Sequence, residues 1–112
     1  MERALDRVRA GEADPPCRSC GGILKSATIS FGQSLVAEDL VRAEKAARGA
    51  DLFLALGTTL TVYPVAYLPE MALESGARLV IANAEPTPFD GQAEAVLRGS
   101  LGDVLPQIVA LV

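Results

Sequence analysis

The sequence contains no histidine. Imidazole is the side chain most often used to move protons near neutral pH, and the commonest metal-binding nitrogen. Any catalysis by this chain therefore falls to Asp, Glu, Lys, Cys or Tyr, or to a second polypeptide. Tryptophan is also absent, and three phenylalanines and two tyrosines are too few for the stacking platforms on which single-stranded nucleic acid rests. Positive charge is in deficit, with ten Lys and Arg against fourteen Asp and Glu and a formal charge of −4. That field repels phosphate backbones, so nucleic acid is not expected as a partner. No apolar run approaches the roughly 20 residues of a membrane span, so no membrane partner is expected either. Glu2-Arg3-Ala4-Leu5-Asp6-Arg7 lacks the apolar core of a secretory signal, which makes the cytoplasm the expected compartment.

What remains is a chain of 112 residues, half of them hydrophobic, long enough for one core and not for two. Residues 1–16 read as an N-terminal arm, a short helix stopped at Asp14-Pro15-Pro16. Residues 17–33 hold a cysteine knuckle, Cys17-Arg18-Ser19-Cys20-Gly21-Gly22, and a short strand expected over Ala27 to Phe31, where Thr28 and Ile29 favour extension. Residues 34–112 read as alternating strand and helix. Ser34 is the expected cap of a helix from Ala37 to Arg48 with Val36, Leu40, Ala43 and Ala47 on one face, and Gly49 is its expected left-handed stop. Leu52-Phe53-Leu54-Ala55-Leu56 has no polar alternation, as in a strand covered on both faces. Pro64 or Pro69 opens a helix through Glu74 that Gly76 ends, and Leu79-Val80-Ile81-Ala82 is a second buried strand. This βαβ unit implies parallel pairing. Glu85 to Gly91 reads as a linker, Ala95 to Arg98 as a third strand, and Ser100 or Asp103 as the cap of a closing helix to Leu111. The predicted fold class is α/β, a partial Rossmann-like parallel sheet of about three to four strands with flanking helices, plus half of a zinc knuckle.

In open parallel sheets ligands collect beyond the carboxyl ends of the strands. Gly57-Thr58-Thr59 and Asn83-Ala84-Glu85 occupy that edge. Gly57 permits close approach to the backbone, Thr58 and Thr59 offer hydroxyls and amides to phosphate, and Asn83 with Glu85 suits ribose hydroxyls. The same residues also suit an ordinary turn and a loop cap, and no Gly-x-Gly-x-x-Gly fingerprint is present. Cys17 and Cys20 have zinc-knuckle spacing, but a closed structural site takes four ligands and the chain has only these two cysteines. Three readings stay open for the pair: a remnant without metal, two free thiols or a disulfide, and a four-cysteine zinc site shared between chains.

Four motifs, in order, resemble the C-terminal half of the sirtuin family: Cys17-x-x-Cys20-Gly21-Gly22-Ile23-Leu24-Lys25, Ser30-Phe31-Gly32-Gln33, Leu56-Gly57-Thr58-Thr59-Leu60-x-Val62-x-Pro64, and Val80-Ile81-x-Asn83-x-Glu85-x-Thr87-Pro88. The resemblance runs from about Pro16 to the C-terminus. It implies a Rossmann-type NAD domain with a small zinc module, and acyl transfer from protein lysine to ADP-ribose with release of nicotinamide. Carried over, Gly57, Thr58 and Thr59 match the loop that contacts NAD. Asn83 matches the asparagine at the adenosine ribose, and Cys17 and Cys20 match the second pair of zinc ligands. Ser30, Phe31 and Gly32 match the segment that pairs with the substrate peptide as an added strand, with Gln33 where many members have Glu.

The family's Gly-Ala-Gly loop, Gln-Asn-x-Asp nicotinamide motif, catalytic histidine and first cysteine pair have no counterpart in these residues. The expectation is a truncated deacylase that holds a partial NAD site and is inactive alone. Its expected partners are itself as a homodimer, or a chain supplying the missing half, with an acylated-lysine protein as substrate of the completed enzyme. The alternative expectation is a non-catalytic module that pairs through its exposed sheet edge.

Overall fold

A computed structural model describes residues 2–111, without the side chains of Glu2 and Arg3. The elements are α1 (Glu2–Arg9), α2 (Ala37–Arg48), β1 (Leu52–Leu56), α3 (Tyr67–Glu74), β2 (Arg78–Ala82), β3 (Ala95–Leu97) and α4 (Leu101–Val109), with a single 3₁₀ turn at Asp90–Gln92. The chain divides into two compact units, one ending at Ser34 and the other starting at Leu35. No helix among the described residues is long and apolar enough to cross a membrane.

The second unit is α/β, as expected. Its three strands run parallel in the order β1-β2-β3, with Leu52 opposite Arg78 and Val80 opposite Ala95. This register puts Phe53, Ala55, Leu79, Ile81 and Val96 on one face. Ala55, Leu79 and Ile81 are buried there with Leu60 and Phe89, and Ala47, Ala72 and Ala77 form a second buried cluster against Phe53, Leu68 and Met71. The small alanines let α2 and α3 approach closely, which suits a thin layer of helices over a short sheet.

The other face departs from the expectation that β1 is covered on both sides. Leu52, Leu54 and Leu56 are 42%, 54% and 41% exposed. That face is thus only half covered, and the outer edge of β1 has no strand beside it among the described residues.

Four local expectations are corrected. Ser34 does not cap α2: Val36 is its N-cap, without a side-chain bond, and Glu38 and Asp39 supply negative charge to the first turn instead. Gly49 is not left-handed, with φ −98°, because the chain leaves α2 through a right-handed turn that bonds back to Lys45. Residues 27–31 form no strand, since no second strand pairs with them. Glu85 to Gly91 is no linker either: Thr87 and Phe89 are buried at 8% exposure and tie the segment into the core. The stop at Gly76 holds. It adopts φ 91°, its N–H donates to Leu73 O and that of Ala77 to Ala72 O, the paired bonds of a Schellman end. Pro69 lies inside the first turn of α3, where its missing N–H costs nothing. The closing helix is capped by Ser100, whose hydroxyl accepts from Gly102 N–H at 3.2 Å, and Asp103 sits within its first turn.

Candidate functional site

Because the strands are parallel, their carboxyl ends share one edge, and the backbone ladder runs one residue past two of them. Gly57 N–H donates to Ala82 O at 2.9 Å, and Asn83 N–H to Leu97 O at 3.1 Å. The loops after β1 and β2 are thereby brought side by side, as the sequence predicts.

Glycine at position 57 is favoured by its backbone, and any larger residue would also have to move the end of the Leu101 side chain. The φ of Gly57 is 63°, a region costly to any residue with a Cβ, and a Cβ on it would lie 2.5 Å from Leu101 Cδ1. Thr58 turns its hydroxyl inward to accept from Leu60 N–H at 3.3 Å, while Thr59 Oγ1 bonds Thr61 Oγ1 at 2.8 Å. Thr58 and Thr59 remain exposed. Leu60 itself is left-handed, with φ 55°, yet 7% exposed. That conformation costs a leucine about 1–2 kcal/mol, and the burial of its side chain beside Ala55 and Phe89 offsets it. A strained residue next to the Gly-Thr-Thr turn fixes the loop's exit.

After β2, Asn83 is buried at 7% exposure and its Nδ2 donates to Glu85 O at 2.8 Å. Its Oδ1 is left as an acceptor, and the Glu85 side chain is exposed beside it. Two acceptors at one loop match the donor hydroxyls of a ribose. The loop is pinned from β3 by Arg98, whose Nη1 donates to Asn83 O at 3.2 Å and to Glu85 O at 2.7 Å, and whose Nη2 pairs with Asp90. Thr87 Oγ1 donates to Asp90 Oδ1 at 2.7 Å. The Thr87 hydroxyl, and then the Arg98 guanidinium, hold the Asp90 carboxyl below its ordinary range. Arg98 and Leu60 were missed from sequence. Arg98 had a signal, a lone cation ending an apolar strand, whereas the left-handed leucine had none.

The first unit holds the remaining predicted residues. Cys17 N–H donates to Gly22 O and Gly21 N–H to Cys17 O, both at 2.8 Å, with Gly21 at φ 70°. The turn aims the Ser19 and Cys20 N–H groups at the Cys17 sulfur, which lowers its pKa from the ordinary thiol value. Both cysteines are free, and no three His, Cys, Asp or Glu side chains cluster among the described residues. The described residues of this chain therefore do not complete a four-ligand zinc site. Ser30, Phe31, Gly32 and Gln33 form a turn rather than an extended segment. Gln33 Oε1 accepts from Ser30 N–H at 2.9 Å, Gln33 N–H donates to Ser30 O at 3.0 Å, Gly32 has φ 84°, and Phe31 is 92% exposed.

Comparison with known proteins fits this geometry. The Sir2 family model matches residues 1–64. An NAD-dependent protein deacetylase 2 of Streptomyces coelicolor is 47% identical over 109 residues, covering 97% of this chain and 45% of that protein. An NAD-dependent protein deacetylase of Rhodopseudomonas palustris is 45% identical over 101 residues, 90% of this chain and 40% of that protein. Among solved structures, one described as the structural basis for the mechanism and regulation of Sir2 enzymes has 36% identity and a TM-score of 0.74, covering 96% of this chain and 44% of that one. Sir2Tm bound to a propionylated peptide has 28% identity and a TM-score of 0.74, with 98% and 46% covered. The chain thus spans less than half the length of these relatives. A family model over more than half of the sequence, together with an α/β sheet whose carboxyl-edge loops carry Gly57-Thr58-Thr59 and Asn83-x-Glu85, means that this chain belongs to the Sir2 family, the sirtuins.

Proposed function

We propose that residues 34–112 form the adenosine-side half of the NAD site of an NAD-dependent protein deacylase. The convergence of two loops on one sheet edge, with Asn83 pinned by Arg98, carries this reading. Asn83 Oδ1 and Glu85 accept from the adenosine ribose, and Gly57, Thr58 and Thr59 offer backbone and hydroxyl groups to the cofactor. NAD supplies the leaving nicotinamide and the acceptor ribose of the acyl transfer. This chain binds and orients, and in this reading the proton of the attacking ribose hydroxyl is taken by a group outside it. Alone it does not deacylate. Residues 1–16 act as an arm, and residues 17–33 as a half zinc module followed by the segment Ser30-Phe31-Gly32, whose exposed Phe31 suits an acylated-lysine peptide. Pairing with that peptide requires Gln33 to release the Ser30 amide. Zinc binds Cys17 and Cys20 only with two further ligands from another chain.

Calorimetric titration with ADP-ribose, NAD and nicotinamide tests the site. ADP-ribose is expected to bind, nicotinamide is not, and a Thr58→Ala/Asn83→Ala double variant should weaken ADP-ribose at least tenfold. Binding that the double variant leaves unchanged overturns the assignment.

A second reading rests on the exposed leucines of β1 and its free edge. There the chain is an interaction module that pairs with a second copy or with a chain supplying the rest of the sheet. Light scattering decides it, a strict monomer that captures no such chain counting against it.

A further inference from the structure

We propose that Arg98 is the positioning residue of the ribose loop: with Thr87 and Asp90 it holds the Asn83 and Glu85 acceptors in the arrangement that reads the hydroxyl pair of the adenosine ribose. The role rests on the assignment of that loop to the adenosine ribose, and it adds the device that makes the loop selective. β2 ends at Ala82, and past the Asn83 N–H the loop has left the ladder. The carbonyls of Asn83 and Glu85 receive no backbone N–H among the described residues. Arg98 Nη1 donates to both instead, at 3.2 and 2.7 Å, from the residue just past the end of β3. One charged donor between two carbonyls two residues apart closes the bend and ties it to the sheet. Asn83 Nδ2 donates to the same Glu85 O at 2.8 Å, which commits the amide nitrogen and leaves Oδ1 as the free acceptor.

The guanidinium is itself aimed from the core. Its Nη2 pairs with Asp90, Asp90 Oδ1 accepts from Thr87 Oγ1 at 2.7 Å, and that oxygen accepts from Phe89 N–H at 3.3 Å, with Thr87 and Phe89 both buried. The pairing also decides what becomes of Glu85, whose carboxylate sits on the residue that Arg98 already grips by its carbonyl. Asp90 answers the positive charge, and Glu85 forms no ion pair among the described residues, so its carboxylate is left to a ligand. A lysine in place of Arg98 could not do the same, because its ammonium is a compact point charge without a planar fork to span two carbonyls and a carboxylate.

Titration of the purified chain with ADP and with 2′-deoxy-ADP, each of which carries a single sugar, separates positioning from plain stability. The wild type should bind ADP about tenfold more tightly than the deoxy compound. Arg98→Ala should bring that ratio near one, and so should Arg98→Lys, which keeps the charge that attracts the diphosphate. Asp90→Asn should fall between, at about threefold, because Glu85 then turns to Arg98. Hydrogen exchange of residues 83–85 should rise about tenfold in Arg98→Ala with Leu79 and Ile81 unchanged, whereas a merely structural role would loosen all of β2 and weaken both nucleotides alike. Arg98→Lys alters a half-exposed side chain and decides the matter even if Arg98→Ala does not fold. A hydroxyl preference that survives in either Arg98 variant overturns the positioning role and leaves the nucleotide site standing. A wild type that binds neither compound, or both equally, overturns the ribose assignment and the role with it.

Discussion

The two units bury very different things. From Leu35 onward, Leu79, Ile81 and Ala72 are fully enclosed, and backbone polar groups are satisfied by a parallel ladder and by helices. In the first 34 residues Pro15 is the one buried residue among those described, Ile23 and Phe31 stand 88% and 92% exposed, and no strand forms. What shapes that unit is one side chain, Arg7, which bonds Glu12 through two nitrogens and Pro16 O at 2.7 Å. Folding energy thus resides in the sheet unit, while the first unit presents thiols and an aromatic side chain to solvent. Such surfaces suit exchange with other molecules better than they suit self-sufficiency.

The sharpest test of that difference is a pair of truncations. Leu79→Ala removes a fully buried side chain and should cost about 2–5 kcal/mol in urea unfolding. Ile23→Ala should stay within about 0.5 kcal/mol. Equal losses would mean that the first unit has a core of its own.

Next in size are two left-handed glycines, one in each unit. Gly57→Ala meets both an unfavourable φ and the Leu101 side chain, whereas Gly32→Ala at φ 84° meets open space. The first should lose about 2–3 kcal/mol and the second about 1. A Leu101→Ala second-site change should recover part of the Gly57→Ala loss, and no recovery would place the strain elsewhere.

Smaller still is the effect expected on the open face of β1. Leu54→Lys should change monomer stability by less than about 1 kcal/mol, because Leu54 is 54% exposed. It should also reduce any self-association seen by light scattering. A large loss of stability would show that the face is already covered in solution.

Much of the sheet unit was legible because its signals are local. An apolar run of five residues and one of four, separated by a proline-started helix and a terminating glycine, can hardly be anything but βαβ, and the strand at Leu52–Leu56, the stop at Gly76 and the cap at Ser100 form where they were read. What sequence could not show depends on partners far along the chain. The apolar run of β1 looks the same whether one face or both are covered, and Thr28-Ile29 favours a strand only if another strand pairs with it. In the candidate site, the placing of Gly57, Thr58, Thr59, Asn83 and Glu85 at one sheet edge follows from the strand order alone. Arg98, fifteen residues after Asn83, could be linked to it only through the pairing of β2 with β3, and so the supposed linker between them proved to be its counterpart.

The smallest expected effect compares two carboxylates, one in each unit. Glu12 is held below its ordinary range chiefly by its hydrogen bonds to Arg7, and Asp90 chiefly by the Thr87 hydroxyl. A carboxyl whose folded pKa lies below its unfolded value stabilises the fold above that unfolded value, about 4. The contribution fades as pH falls through the lower, folded value. Both units should therefore loosen below about pH 4, but not alike. Protonating Asp90 frees one end of Arg98, which is still held by Asn83 O and Glu85 O, so hydrogen exchange around Asn83 should rise only modestly and Asp90→Asn should remove its acid dependence. Protonating Glu12 leaves Arg7 with Pro16 O alone, and exchange near the Cys17 turn should rise more steeply. The same acid step that barely moves the Asn83 loop would then unfasten the thiols, and equal responses in the two units would mean that the cysteine turn is held by its own backbone bonds rather than by Arg7.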